Sequence, residues 1–339
     1  MARSRTLFAF FAIYVIWGST YYAIRVAVES IPPLAMMGVR CLAAGLILYL
    51  WTRLAGAPAA RLSGGPEAAA PGARAWRAAL VAGGLLFLGS HGLLAWAEQR
   101  VASGEAALIT ATEPLWLTLM DWRWGSSRVP GGRGWAGLAL GFAGVALLFA
   151  PGWTAGGGLA IGHAAIVGAA LAWAGGSIYG RSAALPRDVR QSTALQLLAG
   201  ASWLAAASAV SGEWRGFSFQ HVTPASAAAL GYLIVFGSIV AFTAYNWLLR
   251  VTTASRVATH AYVNPIVAVA LGTLLGGETV TGWTLLSALT IVAGVVLVLV
   301  DQARPVRTET AAASAPPASR LSAPPPRPRD ARAAVAETR

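Results

Sequence analysis

Two stretches of this chain repeat one another at nearly constant spacing, and each is built from long segments almost free of charge. Residues 76–150 carry Phe87, Gly89-Ser90, Trp96, Glu113-Pro114, Gly125, Gly134-Trp135 and Ala143-Gly144-Val145. Residues 226–300 carry Phe236, Gly237-Ser238, Tyr245, Asn264-Pro265, Gly276, Gly282-Trp283 and Ala293-Gly294-Val295 in the same order. The displacement runs only from 148 (Gly89 to Gly237) to 151 (Glu113 to Asn264). Upstream, Trp17 and Arg25 have counterparts in Trp173 and Arg181, each displaced by 156. The apolar runs, numbered spans 1 to 10 in chain order, lie near 7–27, 33–54, 77–97, 104–122, 134–150, 159–180, 193–210, 226–249, 255–276 and 282–300. Five fall in each half. An odd number of crossings turns the second half upside down relative to the first, and inverted repeats around a mid-membrane site are how many secondary transporters are built.

Composition agrees. Only 11% of the residues are charged and 56% are hydrophobic, where a soluble domain has roughly 25% charged residues. Uncharged apolar runs of about 20 residues read as membrane spans. Backbone groups in hydrocarbon must be satisfied within the segment, so the spans are helices; barrel strands would show an alternation of roughly ten residues instead. The expectation is an all-α integral membrane protein with ten transmembrane helices in two inverted five-helix repeats. The first repeat is residues 1–152, the second 153–301, and 302–339 is a disordered cytoplasmic tail. That tail is Ala, Pro, Ser and Arg and cannot bury enough apolar surface to offset its ordering entropy.

Every basic residue is an arginine. Arg3 and Arg5 precede span 1; Arg53, Arg61, Arg74 and Arg77 follow span 2; Arg123, Arg128 and Arg133 follow span 4; Arg181, Arg187 and Arg190 follow span 6; Arg250 and Arg256 follow span 8. The opposite connections hold only Arg100 and Arg215. Positive charge is retained on the cytoplasmic side, so both termini are expected there, in a multi-pass protein of a bacterial inner membrane. The net charge of +12 is mostly this topology and gives no reason to invoke nucleic acid. Cys41 is the only cysteine, which excludes an internal disulfide and a thiolate metal cluster, and the four histidines lack ligand spacing. No metal and no cofactor are expected. Neither a phosphate-binding loop, a nucleophile elbow nor an H-E-x-x-H helix is present, so an enzyme is not the reading.

A charged side chain at a helix centre costs about 2.5–3.5 kcal/mol on insertion scales, and each one asks for a reason. Glu113 lies midway along span 4 beside Pro114, with Thr110 and Thr112 just before it. Pro114 offers no N–H, which leaves the Thr110 carbonyl without its usual helical partner. A freed carbonyl, two hydroxyls and a carboxyl able to exchange a proton then share one short stretch. In span 9 Asn264-Pro265 takes the same place, with the Ala261 carbonyl freed and His260 one turn earlier. Glu113 is either the substrate or coupling carboxyl or the ion-pair partner of Arg40, and Pro114 and Pro265 kink their helices. Arg40, well inside span 2, either pairs with Glu113 or Glu29 or contacts an anionic group. Arg25 and Arg181 are expected to be snorkelling anchors at opposite span ends. Trp17, Tyr21 and Trp96 are expected to line a cavity together with His260 and Asn264. Trp122, Trp124, Trp135, Trp203, Trp214, Trp247 and Trp283 suit interfacial belts. Gly137, Gly141 and Gly144 allow close helix approach, within the chain or across a dimer face, so the expected state is monomer or homodimer.

Trp17-Gly18-Ser19-Thr20-Tyr21 leading to Arg25, Glu29 and Pro32-Pro33, then Gly38-Val39-Arg40, resembles the start of the YedA-like exporters of the drug/metabolite transporter superfamily. Ala111-Thr112-Glu113-Pro114-Leu115-Trp116 does so too, and Asn264-Pro265, Gly276-Gly277-Glu278 and Gly294-Val295 are similar to the end of the EamA-type repeat. The resemblance covers residues 7–300. It implies a central cavity opening alternately to either side and export of a small metabolite, amino acid or drug by a proton-linked or facilitated route. The first repeat departs from the pattern with Ser126-Ser127-Arg128 in place of Gly277-Glu278-Thr279, which makes Glu278 a structural residue in this reading. The alternative functions are a passive channel or facilitator and, further off, a membrane enzyme or scaffold.

Overall fold

The structure, a computed structural model, describes residues 2–63, 71–124, 129–154, 158–252, 257 and 259–302. The Ser126-Ser127-Arg128 departure and the proposed tail lie outside them, except Gln302, which ends the helix of span 10. The described residues are helical, with no strand among them. Eight helices are long and apolar enough to cross a bilayer: Ser4–Ala27, Pro33–Leu54, Ala73–Ala97, Gly132–Ala150, Gly158–Ser182, Val189–Ser211, Pro224–Leu248 and Gly282–Gln302. They correspond to spans 1, 2, 3, 5, 6, 7, 8 and 10.

Spans 4 and 9, the two with a central proline, take other forms. Span 4 is two helices, Ser103–Thr110 and Glu113–Trp124, parted at Ala111-Thr112. Pro114 falls in the first turn of the second helix, where its missing N–H costs nothing, and the amides of Leu115 and Trp116 close that turn on the Thr112 carbonyl at 2.8 and 3.3 Å. Span 9 is a single helix, His260–Gly276, with Pro265 inside it. It ends on Gly277 in the left-handed region (φ 64°), a conformation that favours glycine.

Three counterpart pairs, spans 2 and 7, 4 and 9, and 5 and 10, pack against each other and run antiparallel, as inverted repeats require. Three carboxylates fix this by capping helix starts, where backbone N–H groups lack partners and the helix dipole favours negative charge. Glu213, just past span 7, accepts from the amides of Leu34 and Ala35 at the start of span 2, both at 3.0 Å. Glu278, just past span 9, accepts from Ser103 and Gly104 at the start of span 4, at 2.8 and 3.1 Å. Asp301, at the end of span 10, accepts from Gly131 before span 5 at 2.8 Å. Each cap therefore joins the end of a second-repeat helix to the start of its first-repeat counterpart.

Lipid tails are as apolar as leucine, so close packing rather than hydrophobic burial holds spanning helices together. The small residues of span 5 serve this within the chain. A Cβ on Gly137 would stand 2.7 Å from the Gly294 carbonyl oxygen, and one on Gly144 would stand 2.8 Å from the Ile291 amide nitrogen. Both face span 10 of the same molecule. Outward positions carry large apolar side chains, among them Leu46, Ile47 and Leu50 of span 2 and Leu285, Leu286 and Leu289 of span 10, all exposed. Six of the seven expected belt tryptophans are also exposed, and Trp247 is half-buried.

The repeat reaches down to helix winding. Gly84–Gly92 in span 3 and Leu233–Ala241 in span 8, at equivalent positions, both widen into π-helix. Ala12–Ile16 of span 1 does the same. Such turns leave backbone groups poorly matched and concentrate at functional sites.

Candidate functional site

A cavity lies among spans 1, 2, 3, 4, 6 and 9, and the π segment of span 3 forms part of its wall. It is lined from span 1 by Trp17, Thr20, Tyr21 and Ile24, from span 2 by Arg40, from span 3 by Ser90, His91 and Leu94, and from span 4 by Ala107, Thr110, Ala111 and Glu113. Trp173 of span 6 and His260, Ala261, Asn264 and Pro265 of span 9 complete the wall. Its volume is about 60 Å³, room for a few water molecules at about 10–15 Å³ each on this measure.

Trp17, Tyr21 and Trp173 give the wall its aromatic part. Trp17 and Trp173, equivalent residues of the two repeats, meet edge to face with ring centroids 6.3 Å apart. Trp17 also lies 4.9 Å from Tyr245 and 5.3 Å from His260, and Trp173 lies 5.3 Å from His91. The indole N–H of Trp17 donates to the Gly237 carbonyl at 3.2 Å, inside the π segment of span 8. Asn264, its amide oriented by its hydrogen-bonding surroundings, turns its nitrogen to the carbonyls of Ile13, Tyr14 and His260, each at 3.1 Å. It thereby serves backbone groups in the π turn of span 1.

Arg40 is buried, and its Nε donates to the Ser238 hydroxyl at 2.8 Å. Ser238 is again a π-segment residue. One terminal nitrogen reaches the Met37 sulfur at 3.7 Å. Among the described residues neither Glu113 nor Glu29 forms an ion pair with it, so the expected Arg40–Glu113 bridge is not made. A guanidinium buried without a carboxylate partner is costly, and its remaining donors suit an anionic group.

Glu113 opens on the cavity and is only half-buried. The hydroxyls beside it are committed as donors to their own helix, Thr110 to the Ala106 carbonyl at 2.8 Å and Thr112 to Ile109 at 2.6 Å. Of the two, Thr110 reaches the cavity and Thr112 does not. Of the expected site residues, then, Glu113, Arg40, Trp17, Tyr21, His260 and Asn264 converge with Pro265. Trp96 does not join them; it sits at the end of span 3 with the Arg100 guanidinium 4.4 Å above its ring. Pro114 shapes span 4 without lining the cavity.

Sequence reasoning passed over Ser90 and His91. Their signal was present, since a histidine inside an apolar run has few structural uses, and both fall in the π segment of span 3. His163 was also missed: buried in span 6, it meets Glu105 of span 4 at 3.0 Å. The two expected anchors are engaged with protein. Arg25 donates to the Glu98 backbone carbonyl, and Arg181 pairs with Asp121 at 3.2 Å.

A family model for EamA-like transporters matches residues 4–150 and again residues 160–300. This chain belongs to the EamA-like transporter family. The uncharacterized inner membrane transporter YedA of Escherichia coli strain K12 is 39% identical over 295 residues, 86% of this chain and 89% of that protein. The uncharacterized transporter YvbV of Bacillus subtilis strain 168 is 27% identical over 301 residues, 88% and 92% of the two chains. A crystal structure at 20% identity covers 90% of this chain with a TM-score of 0.59, which bears on the fold. The EamA-like chain is thus a multi-pass inner-membrane transporter rather than an enzyme.

Proposed function

We propose that this EamA-like chain is a secondary transporter that exports a small organic solute bearing an anionic group beside an apolar or aromatic portion, amino acids being the simplest such class. The observation that carries the reading is Arg40, buried without a carboxylate partner among the described residues, in a cavity lined also by Trp17, Tyr21, Trp173 and Glu113. Arg40 receives the solute's carboxylate, the rings around Trp17 receive its apolar part, and Glu113 receives its ammonium group or a coupled proton. Both termini are cytoplasmic, by the arginine distribution. Residues 1–152 and 153–301 rock against each other as two inverted halves, a reading supported by the antiparallel counterpart helices and their capping carboxylates. The small volume of the cavity supports alternating access over a standing channel.

The test is uptake into proteoliposomes of radiolabelled L-phenylalanine, L-leucine, L-glutamate and an amphipathic dye, with and without a pH gradient. Stimulation by solute on the opposite side, lost in Arg40→Gln, is the expected result. Gradient-driven accumulation is expected to disappear in Glu113→Gln. Flux indifferent to solute on the opposite side would establish a facilitator or channel and overturn the carrier.

A further inference from the structure

Glu98 stands immediately past span 3 and is completely buried, yet neither of its carboxyl oxygens makes a hydrogen bond among the described residues. Burial without a hydrogen-bond donor among the described residues penalises the ionised carboxylate, and the neutral acid is favoured. Its place is between two spaces. One turn earlier on the same helix Leu94 lines the central cavity, and Tyr21 and Arg40 of that cavity are within electrostatic reach of Glu98. On its other side Arg25, whose guanidinium holds the Glu98 backbone carbonyl, lines a polar vestibule of about 440 Å³ with Tyr22, Glu29, Arg100 and Glu278.

The charged groups facing Glu98 come from several elements. Span 1 brings Arg25, span 2 brings Arg40, and the segment after span 9 brings Glu278, itself committed to capping span 4. Arg100 follows Glu98 by two residues. None of the arginines forms an ion pair with the Glu98 carboxyl.

We propose that Glu98 is a proton-binding site in the partition between cavity and vestibule, protonated while the partition is shut and releasing its proton into the vestibule when it opens. The carboxyl O–H bond breaks, the electron pair stays on the oxygen, and water in the opened vestibule takes the proton. The carboxylate left behind pairs with Arg25, already hydrogen-bonded to the same residue. The proposal rests on the alternating-access reading and gives it a second titrating carboxyl, on the side that the proposed topology places outside.

The experiment is pH-difference infrared spectroscopy of the full-length chain in lipid, comparing wild type, Glu98→Gln, Glu98→Asp and Glu113→Gln. A carboxylic-acid carbonyl component that vanishes as pH rises is expected in wild type and in Glu113→Gln, absent in Glu98→Gln and shifted in Glu98→Asp. In proteoliposomes Glu98→Gln is expected to retain exchange of L-phenylalanine and to lose its gradient-driven accumulation. A component unchanged in Glu98→Gln and Glu98→Asp would overturn the proposal, as would gradient-driven accumulation that survives in Glu98→Gln. A wild-type chain that moved none of the solute panel would defeat the carrier reading, while the infrared component would still decide the state of Glu98.

Discussion

Replacing Arg40 by methionine separates a transport role from a structural one, because the two predict opposite changes in stability. The guanidinium is buried, donates to Ser238 at 2.8 Å and has no carboxylate partner among the described residues. Arg40→Met forfeits that charged hydrogen bond, about 1.5–3 kcal/mol. It also removes a desolvation penalty of several kcal/mol, and exchanging buried ionic groups for apolar ones of similar volume is often neutral or stabilising by about 1–4 kcal/mol. Ser238 can bond back to a carbonyl one turn earlier, so little is left unsatisfied. The exchange figure already includes the lost bonds, so the expected stability change lies between zero and a gain of about 4 kcal/mol. Binding of an anionic solute should suffer: losing one partner of a buried charge pair costs about 2–5 kcal/mol, roughly thirty-fold to several thousand-fold in affinity. Thermal unfolding in detergent reads the first quantity, and counterflow of L-phenylalanine and L-glutamate in proteoliposomes reads the second. A variant that melts several degrees lower while transporting like wild type would refute the reasoning and make Arg40 a packing residue.

Glu278→Gln keeps an acceptor near Ser103 and Gly104 but removes its charge, and should cost about 1–2 kcal/mol of thermal stability, whereas Glu278→Ala should cost about 2–4; equal melting of both variants and wild type would discard the cap. Gly144→Leu drives a Cβ to 2.8 Å from the Ile291 amide nitrogen and should lower stability by about 1–3 kcal/mol through overpacking, with reduced yield of folded protein as the readout. Trp17→Phe keeps the ring contacts but loses the bond to the Gly237 carbonyl, about 0.5–1.5 kcal/mol. Trp17→Ala also enlarges the cavity and should admit bulkier dyes in the uptake panel; an unchanged dye range would remove Trp17 from the substrate path.

Much of the site could be read because membrane chemistry makes certain residues conspicuous. Glu113 and Arg40 stood out as charges within apolar runs, and Asn264-Pro265 stood out as the counterpart of Glu113-Pro114. His260 followed from its place one turn before Asn264, and Trp17 from being an aromatic residue deep in a span. Glu98 was overlooked because it falls one residue beyond an apolar run; only packing buries it. Trp96 misled for a related reason. The direction in which a helical side chain points depends on which neighbours surround the helix, and span 3 turns Trp96 under Arg100 instead of toward the cavity.

The sequence by itself determined that this chain is helical, membrane-spanning and internally repeated, because those properties follow from residue type and spacing alone. Hydrocarbon admits only self-satisfied backbone, and a near-constant displacement of about 150 positions between motifs such as Ala143-Gly144-Val145 and Ala293-Gly294-Val295 needs no coordinates to be seen. Tertiary structure alone decided that the two prolines act differently, one splitting span 4 and the other running within a continuous helix. It alone decided that Arg40 bonds to Ser238 rather than to Glu113, and that carboxylates at the ends of second-repeat helices cap first-repeat helix starts. These are contacts between residues some 170 to 200 positions apart. Local pattern leaves such partners open, because they depend on how the helices rotate and tilt when small residues let them pack.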